Sequence, residues 1–332
     1  MAMSLAQTLP ATAQAQPSLP RDRVFLCRFA WGVLAYNIAV ILWGGLVRAT
    51  GSGAGCGDHW PLCNGVVIQA HPRIATIIEL THRMTSGVAV IAVLALLLWT
   101  FRSTPRKHLA RVSAAAAAVL TFNEALLGAL LVLLQLTADN RSPERAVYLS
   151  LHLANTLLLL AALALCAHFS SRQRDFLRGT VRYSHLALGV VGLAATLAVG
   201  VSGSLAALGD TLYPAATLRA AFTAEFSQQS SWLLRLRFIH PLSAIIAGLF
   251  ICWLVVGTVF RGSRLGNRGL GLVVVLLLLL QYSLGLADVL LLAPVWMQIM
   301  HLLGADLLWI ALVVLTARVC VGGASKTIPL FS

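Results

Sequence analysis

Charge is what this sequence has least of: Asp, Glu, Lys and Arg make up 11% of its 332 residues, and the acids number only 11. Together with 59% apolar residues and a mean hydropathy of +0.86, that scarcity excludes a soluble protein, in which about a quarter of residues are charged. Cysteine is also sparse. The six present (Cys27, Cys56, Cys63, Cys166, Cys252, Cys320) are too scattered for a disulfide scaffold, and only Cys56 and Cys63 form a close pair outside an apolar run. The first twenty residues are rich in Ala, Gln and Pro and have no charged region before a short apolar core, so a cleaved signal peptide is not expected. Residues 1–24 read as a disordered cytoplasmic tail.

What is present is a series of apolar runs, among them 24–47, 88–100, 147–167 and 270–292, that reach or approach the roughly 20 residues needed to cross a bilayer. Runs of this length predict helices, because backbone groups in lipid must be satisfied within the segment. Eight are expected: 25–48, 74–101, 110–135, 146–169, 183–206, 233–260, 270–292 and 295–317. The fold class is an all-α polytopic membrane protein. The net charge of +13 would suggest nucleic acid in a soluble chain; here it sets orientation instead, and the expected surroundings are membrane lipid with no nucleic acid. Sixteen of the 24 Lys and Arg fall in the segments 21–28, 102–111, 172–182, 261–268 and 318–326. The positive-inside rule therefore places both termini in the cytoplasm of a multi-pass cell-membrane protein, with the loops 49–73 and 207–232 outside and 319–332 as a second cytoplasmic tail.

The two halves resemble each other. HRMTSGVAV at His82 parallels HPLSAIIAG at His240, 158 positions later, and HLANTLLLL at His152 parallels HLLGADLLW at His301, 149 positions later. Helices 1 to 4 and 5 to 8 read as two copies of one unit, a four-helix bundle over 25–170 and another over 183–318. An even number of spans per copy points both the same way.

His82, His152, His240 and His301 fall within the first two turns or so of helices 2, 4, 6 and 8, at one depth. A single intramembrane histidine is most simply a neutral imidazole bonded to a neighbouring helix; four at equivalent repeat positions point to ligands. Paired imidazoles without thiolates or clustered carboxylates suit haem iron, one iron between His82 and His152 and another between His240 and His301. His59, His71, His108, His168 and His185 lie in loops or near helix ends and are not expected to be ligands. Glu79 precedes His82 by three residues and shares its helix face. It reads either as a base or charge beside bound porphyrin or, more plainly, as a partner of Arg83 or Arg48. The second copy has Arg237 at the equivalent position. Glu124, Asp288 and Asp306 are expected to pair across helices, with Asn123, Gln281 or Arg as partners. Arg48, Arg83, Arg235 and Arg237 lie where haem propionates would need cations.

In the first loop, GSGAGCGDHWPLCNG, Cys56 and Cys63 can close a short disulfide on an oxidising side of the membrane. Their spacing does not fit a CxxC zinc or thioredoxin motif, and a structural staple and a redox role both remain open.

GLVRATGSG at 45–53, Cys56-Gly57, Trp60 through Gly65, Glu79-Leu80-Thr81-His82-Arg83 with Thr85-Ser86-Gly87, and His152, His240 and His301 together resemble the haem A synthases, cytochrome oxidase assembly proteins of that type, over roughly 25–318. The resemblance implies a tandem pair of four-helix bundles that oxidises the C8 methyl of haem O to a formyl group for terminal oxidase assembly. Two successive oxidations, through hydroxymethyl and gem-diol stages, would take their oxygen from water. It implies haem b as cofactor on His240 and His301, substrate haem at His82 and His152, Glu79 as catalytic carboxylate, and Cys56 and Cys63 as the family's loop pair. Implied partners are haem O, a haem O synthase, cytochrome oxidase assembly factors, an unidentified electron acceptor and, in a homo-oligomer, a second copy of the chain. Many bacterial members carry a second cysteine pair between helices 5 and 6; residues 207–232 here have none. The alternative is a non-enzymatic bis-histidine dihaem cytochrome b. A transporter fits poorly, since no pair of broken helices is evident at midplane.

Overall fold

The computed structural model of the chain describes residues 21–66, 70–171, 183–261 and 265–320. Among them the long elements are all helical: α1 (Arg21–Ala49), α2 (Ile74–Ser103), α3 (Leu109–Leu133), α4 (Pro143–Ser170), α5 (Tyr183–Leu212), α6 (Leu218–Phe226), α7 (Trp232–Arg235), α8 (Ile239–Val255, continued by a wide turn over Val256–Phe260), α9 (Arg268–Leu290) and α10 (Val295–Cys320). Eight helical segments, with Trp232–Phe260 counted as one, are long and apolar enough to cross a membrane. Perimeter side chains such as Ile91, Val119 and Leu249, each more than two-thirds exposed, suit a hydrocarbon surrounding.

Sequence chemistry explains the helix ends. Ser142 caps α4 by accepting the Arg145 N–H, and Pro143 sits at the first position, where a missing N–H is harmless. That cap carries α4 three residues beyond the expected start. The end of α3 is a hydrogen-bonded reversal: Gln135 takes φ 54°, with Gln135 N–H donating to Val132 and Leu136 N–H to Leu131. The end of α9 repeats it 157 positions later, with Leu292 at φ 61° and donors Leu292 and Ala293 on Val289 and Asp288. The sixth span is interrupted because Pro241 has no N–H and its ring crowds the carbonyl of Arg237, four residues back. Consequently α7 stops at Arg235 and α8 starts at Ile239.

Within the first half α1 packs on α2 and α4, α2 on α3, and α3 on α4; within the second, α5 packs on α8 and α10, and α9 on α8 and α10. The halves meet through α1 and α4 against α5 and α10. Small residues bring these helices close: a methyl on Gly45 would stand 2.9 Å from Leu302 Cδ2, and one on Gly200 2.9 Å from Leu157 Cδ1. The indole N–H of buried Trp309 donates to the carbonyl of Leu157 at 2.6 Å. One core, including Leu26, Leu96, Leu160 and Leu163, takes in Trp309 and Ile310 from α10.

Three expectations are corrected. Residues 21–24 belong to α1 instead of a tail, with residues 1–20 outside the described residues, and α10 likewise takes in Val319 and Cys320, leaving 321–332 outside. The loop expected over 207–232 begins only after Leu212 and contains α6; Asp210, inside α5, is paired with Arg237 at 3.4 Å. The basic residues of 172–182, Arg264 and Lys326, used for orientation, lie outside the described residues.

Candidate functional site

Each of the four singled-out histidines packs over a glycine of the preceding long helix. A methyl on Gly44 of α1 would come 3.0 Å from His82 Cε1. The corresponding distances are 3.8 Å from Gly128 of α3 to His152, 2.9 Å from Gly203 of α5 to His240, and 3.1 Å from Gly285 of α9 to His301. The absence of a side chain at Gly44, Gly203 and Gly285 lets His82, His240 and His301 lie against the neighbouring backbone. Gly44 and Gly203 are 159 positions apart and Gly128 and Gly285 are 157 apart, so the histidine repeat is matched by a glycine repeat. Sequence reading missed these glycines; their offsets, close to the 158 that separates His82 from His240, were the available signal.

The rings of His240 and His301 face each other across the second half with centroids 6.2 Å apart and planes at 87°. Two metal–nitrogen bonds of about 2 Å, with about 1 Å more from each nitrogen to its ring centre, also span about 6 Å. The separation therefore leaves room for a single metal ion between the two rings. Nδ1 of His240 faces the Val199 carbonyl and Ser202 Oγ, both at 3.2 Å. In the first half His82 and His152 lie within electrostatic reach of each other, and the buried Nδ1 atoms of His82, His152 and His301 make no hydrogen bond. Among the described residues no three His, Cys, Asp or Glu side chains converge into a closed cage. This donor set, paired and purely imidazole, suits haem iron better than a four-coordinate structural zinc site.

Glu79 is almost fully buried, and both its oxygens are engaged. Oε1 receives Arg83 Nη2 at 2.5 Å and Oε2 receives the backbone N–H of Cys56 at 2.8 Å. Arg83 Nη1 also donates to the carbonyls of His59 and Leu62 at 2.8 and 2.9 Å. Glu79 and Arg83 thereby grip the loop that Cys56 and Cys63 close, their sulfurs standing at disulfide distance. The Thr76 hydroxyl adds a bond to Gly55 at 2.7 Å. The pairing of Glu79 with Arg83 is thus present, and Arg48 is not its partner.

Arg48 instead links the halves. From α1 it donates to the Ala207 carbonyl at 2.8 Å, to Thr211 Oγ1 at 3.1 Å and to Gln298 Oε1 at 2.7 Å. Arg237, at the position equivalent to Glu79, pairs with Asp210. Arg235 donates to the Ser227 and Gln228 carbonyls and stabilises the preceding loop.

The remaining acids behave unequally. Glu124 pairs across to α4, but with Asn155, Thr156 and His152 instead of the expected Asn123, Gln281 or an Arg. Asp306 has both carboxyl oxygens buried without hydrogen-bond partners. It lies where α10 is enclosed by the other helices, with Leu308 through Val314 all buried, so the expected cross-helix pair is not formed. Of the other histidines, His108 caps α3 through Nδ1 and meets Arg23 at 3.0 Å. His59 is exposed beside Asp58.

The family described as cytochrome oxidase assembly protein matches residues 27–313. A protein of Thermus thermophilus named protoheme IX farnesyltransferase is 46% identical over 309 residues, covering 91% of this chain and 49% of the relative; the chain thus spans about half that relative's length. A heme A synthase of Alkalihalophilus pseudofirmus is 42% identical over 92 residues, 28% of this chain and 31% of the relative. One of Bacillus licheniformis is 33% identical over 158 residues, 46% of this chain and 49% of the relative.

Proposed function

The chain belongs to the family of cytochrome oxidase assembly proteins, and from that premise we propose that it is a haem A synthase, oxidising the C8 methyl of haem O to a formyl group for terminal oxidase assembly. The observation that carries this reading is the imidazole pairing: four histidines on equivalent helices, each seated on a glycine, with one pair at a separation that fits iron. In this reading the two rings of four helices are the two bundles. His82 and His152 would hold substrate haem O, and His240 and His301 would hold haem b. Haem b, when bound, supplies one-electron redox chemistry.

The residues of the chain divide the rest of the work. His82 and His152 hold the substrate macrocycle so that its methyl faces a fixed direction, which replaces a diffusive encounter by a positioned one. Glu79 takes a proton lost as the methyl is oxidised; each of two two-electron oxidations passes its electrons to the acceptor and adds a water oxygen, giving first the hydroxymethyl and then a gem-diol that loses water to leave the formyl group. In the resting arrangement Arg83 and the Cys56 N–H occupy both Glu79 oxygens, so proton uptake requires one of these contacts to loosen. The loop pair Cys56 and Cys63 keeps that contact in place. The apolar perimeter supports a membrane location, and the distribution of Lys and Arg in the sequence supports both termini in the cytoplasm.

Haem O is the product expected of a protohaem farnesyltransferase, the activity named for the Thermus relatives. A haem O synthase is accordingly the proposed supplier, with an electron acceptor and oxidase assembly factors downstream. The test is to co-express the full chain with a haem O synthase and extract its pigments. Haem b together with haem O, a hydroxylated intermediate or haem A is expected. Two identical, permanently bound haems b with no haem A would instead make the chain an electron-transferring cytochrome b.

A further inference from the structure

Glu124 and Gln281 occupy the same place in the two halves. Each lies four residues before the glycine that receives the next helix's imidazole, Gly128 or Gly285, and eleven before the left-handed residue that ends its helix, Gln135 or Leu292. Their surroundings differ in kind. Glu124 Oε1 stands 3.4 Å from Nδ1 of His152; Thr156 Oγ1 donates to Oε1 and Asn155 Nδ2 to Oε2, both at 2.5 Å. Asn123 in turn donates to Asn155 Oδ1 at 2.8 Å. Donors on both oxygens fix the carboxylate in place 3.4 Å from an imidazole nitrogen that makes no hydrogen bond. Gln281 Nε2 donates to the carbonyl of His301 at 2.9 Å, which settles the orientation of its amide, and the same nitrogen lies 3.4 Å from His301 Nε2. The first half therefore presents a carboxylate oxygen to Nδ1 of its helix-4 histidine, and the second presents an amide NH2 group to Nε2 of its counterpart. The other second-half ligand candidate, His240, meets only neutral acceptors, Val199 and Ser202.

We propose that Glu124 is a positioning residue that orients His152 and strengthens it as a donor, so that haem held by His82 and His152 has a lower reduction potential than haem held by His240 and His301. A carboxylate beside one imidazole nitrogen raises the basicity of the other and favours the ferric state of iron bound there; the amide of Gln281, which lies beside the other ring nitrogen of His301, brings no charge. The unequal potentials bias the first half toward giving up electrons and the second toward accepting them. This inference rests on the haem assignment proposed above.

The test uses the full chain, purified in detergent after co-expression with a haem O synthase and titrated redox-metrically by visible absorption. His152→Ala identifies the first-half component by its loss or spectral change. Glu124→Gln is expected to keep the haem content and to raise the potential of that component by a tenfold change in the ferric-to-ferrous equilibrium, about 59 mV for one electron, leaving the second component in place. Gln281→Glu is expected to lower the second component, and it tests the same idea if Glu124→Gln does not accumulate. Unchanged potentials in the variant that carries both haems would overturn the inference while leaving the haem sites standing. If His152→Ala retains the wild-type haem content and spectrum, the first-half site itself is refuted, and the inference with it.

Discussion

Gly203 lies directly beneath His240: a methyl there would stand 2.9 Å from the ring's Cε1 and 3.2 Å from Nδ1, whereas a methyl on Gly128 would meet His152 at an ordinary 3.8 Å. Gly203→Ala is expected to push the imidazole off its seat, at an overpacking cost of about 1–3 kcal/mol, and to deplete second-half haem. Gly128→Ala is expected to keep full haem content. Pyridine haemochrome quantification per chain checks this, and equal haem loading in the two variants would contradict it.

For Glu79→Gln, haem A output is expected to fall by about 10²-fold or more, while haem content is maintained. The amide oxygen can still accept the Cys56 N–H, so the loop keeps its direct hydrogen bond to position 79. Chromatography of extracted haems separates the outcomes, and a normal haem A yield from this variant would remove Glu79 from the chemistry.

Arg48→Ala deletes hydrogen bonds to Ala207, Thr211 and Gln298 and with them a tie from α1 to α5 and α10. Charged hydrogen bonds contribute about 1.5–3 kcal/mol each, so a clear drop in unfolding temperature in detergent is expected. Lys at this position has the charge without the planar fork and should recover only part of the loss. An unaltered melting curve for Arg48→Ala would show that the halves are held together without it.

The loop 50–66 is held twice, by the Cys56–Cys63 pair and by Arg83 and Glu79 on its backbone. Replacing both cysteines by Ser removes a short-loop constraint worth about 2–3 kcal/mol in the chain-entropy picture, yet the loop should stay docked. Adding Arg83→Ala should release it, with an effect larger than the two changes predict separately. Limited proteolysis of the loop reads this directly; rapid cleavage in the double Ser protein alone would show that the backbone contacts are secondary.

The spans were legible in the sequence because bilayer-length apolar runs leave few alternatives. Their ends were less so, since Ser142, Gln135 and Pro241 act through individual hydrogen bonds that hydropathy does not register. The histidines were legible as chemically costly residues in apolar runs. Their glycine seats were not, because Gly44 and Gly203 acquire meaning only once α1 faces α2 and α5 faces α8. Glu79 was visible through its spacing from His82, but its hold on Cys56 depends on where the loop folds back. Glu124 was expected to pair across helices, but its actual partners were hidden for the same reason. Its partners lie about thirty positions away on another helix, and only the register of α3 against α4 brings them together.

The seam sealed by Trp309 and Leu157 joins two matching units encoded as one polypeptide. A symmetric homodimer must repeat every substitution on both sides, so it could never place Glu at one site and Arg or Gln at its mirror. A single chain is free of that constraint, and this one sets Glu79 opposite Arg237 and Glu124 opposite Gln281.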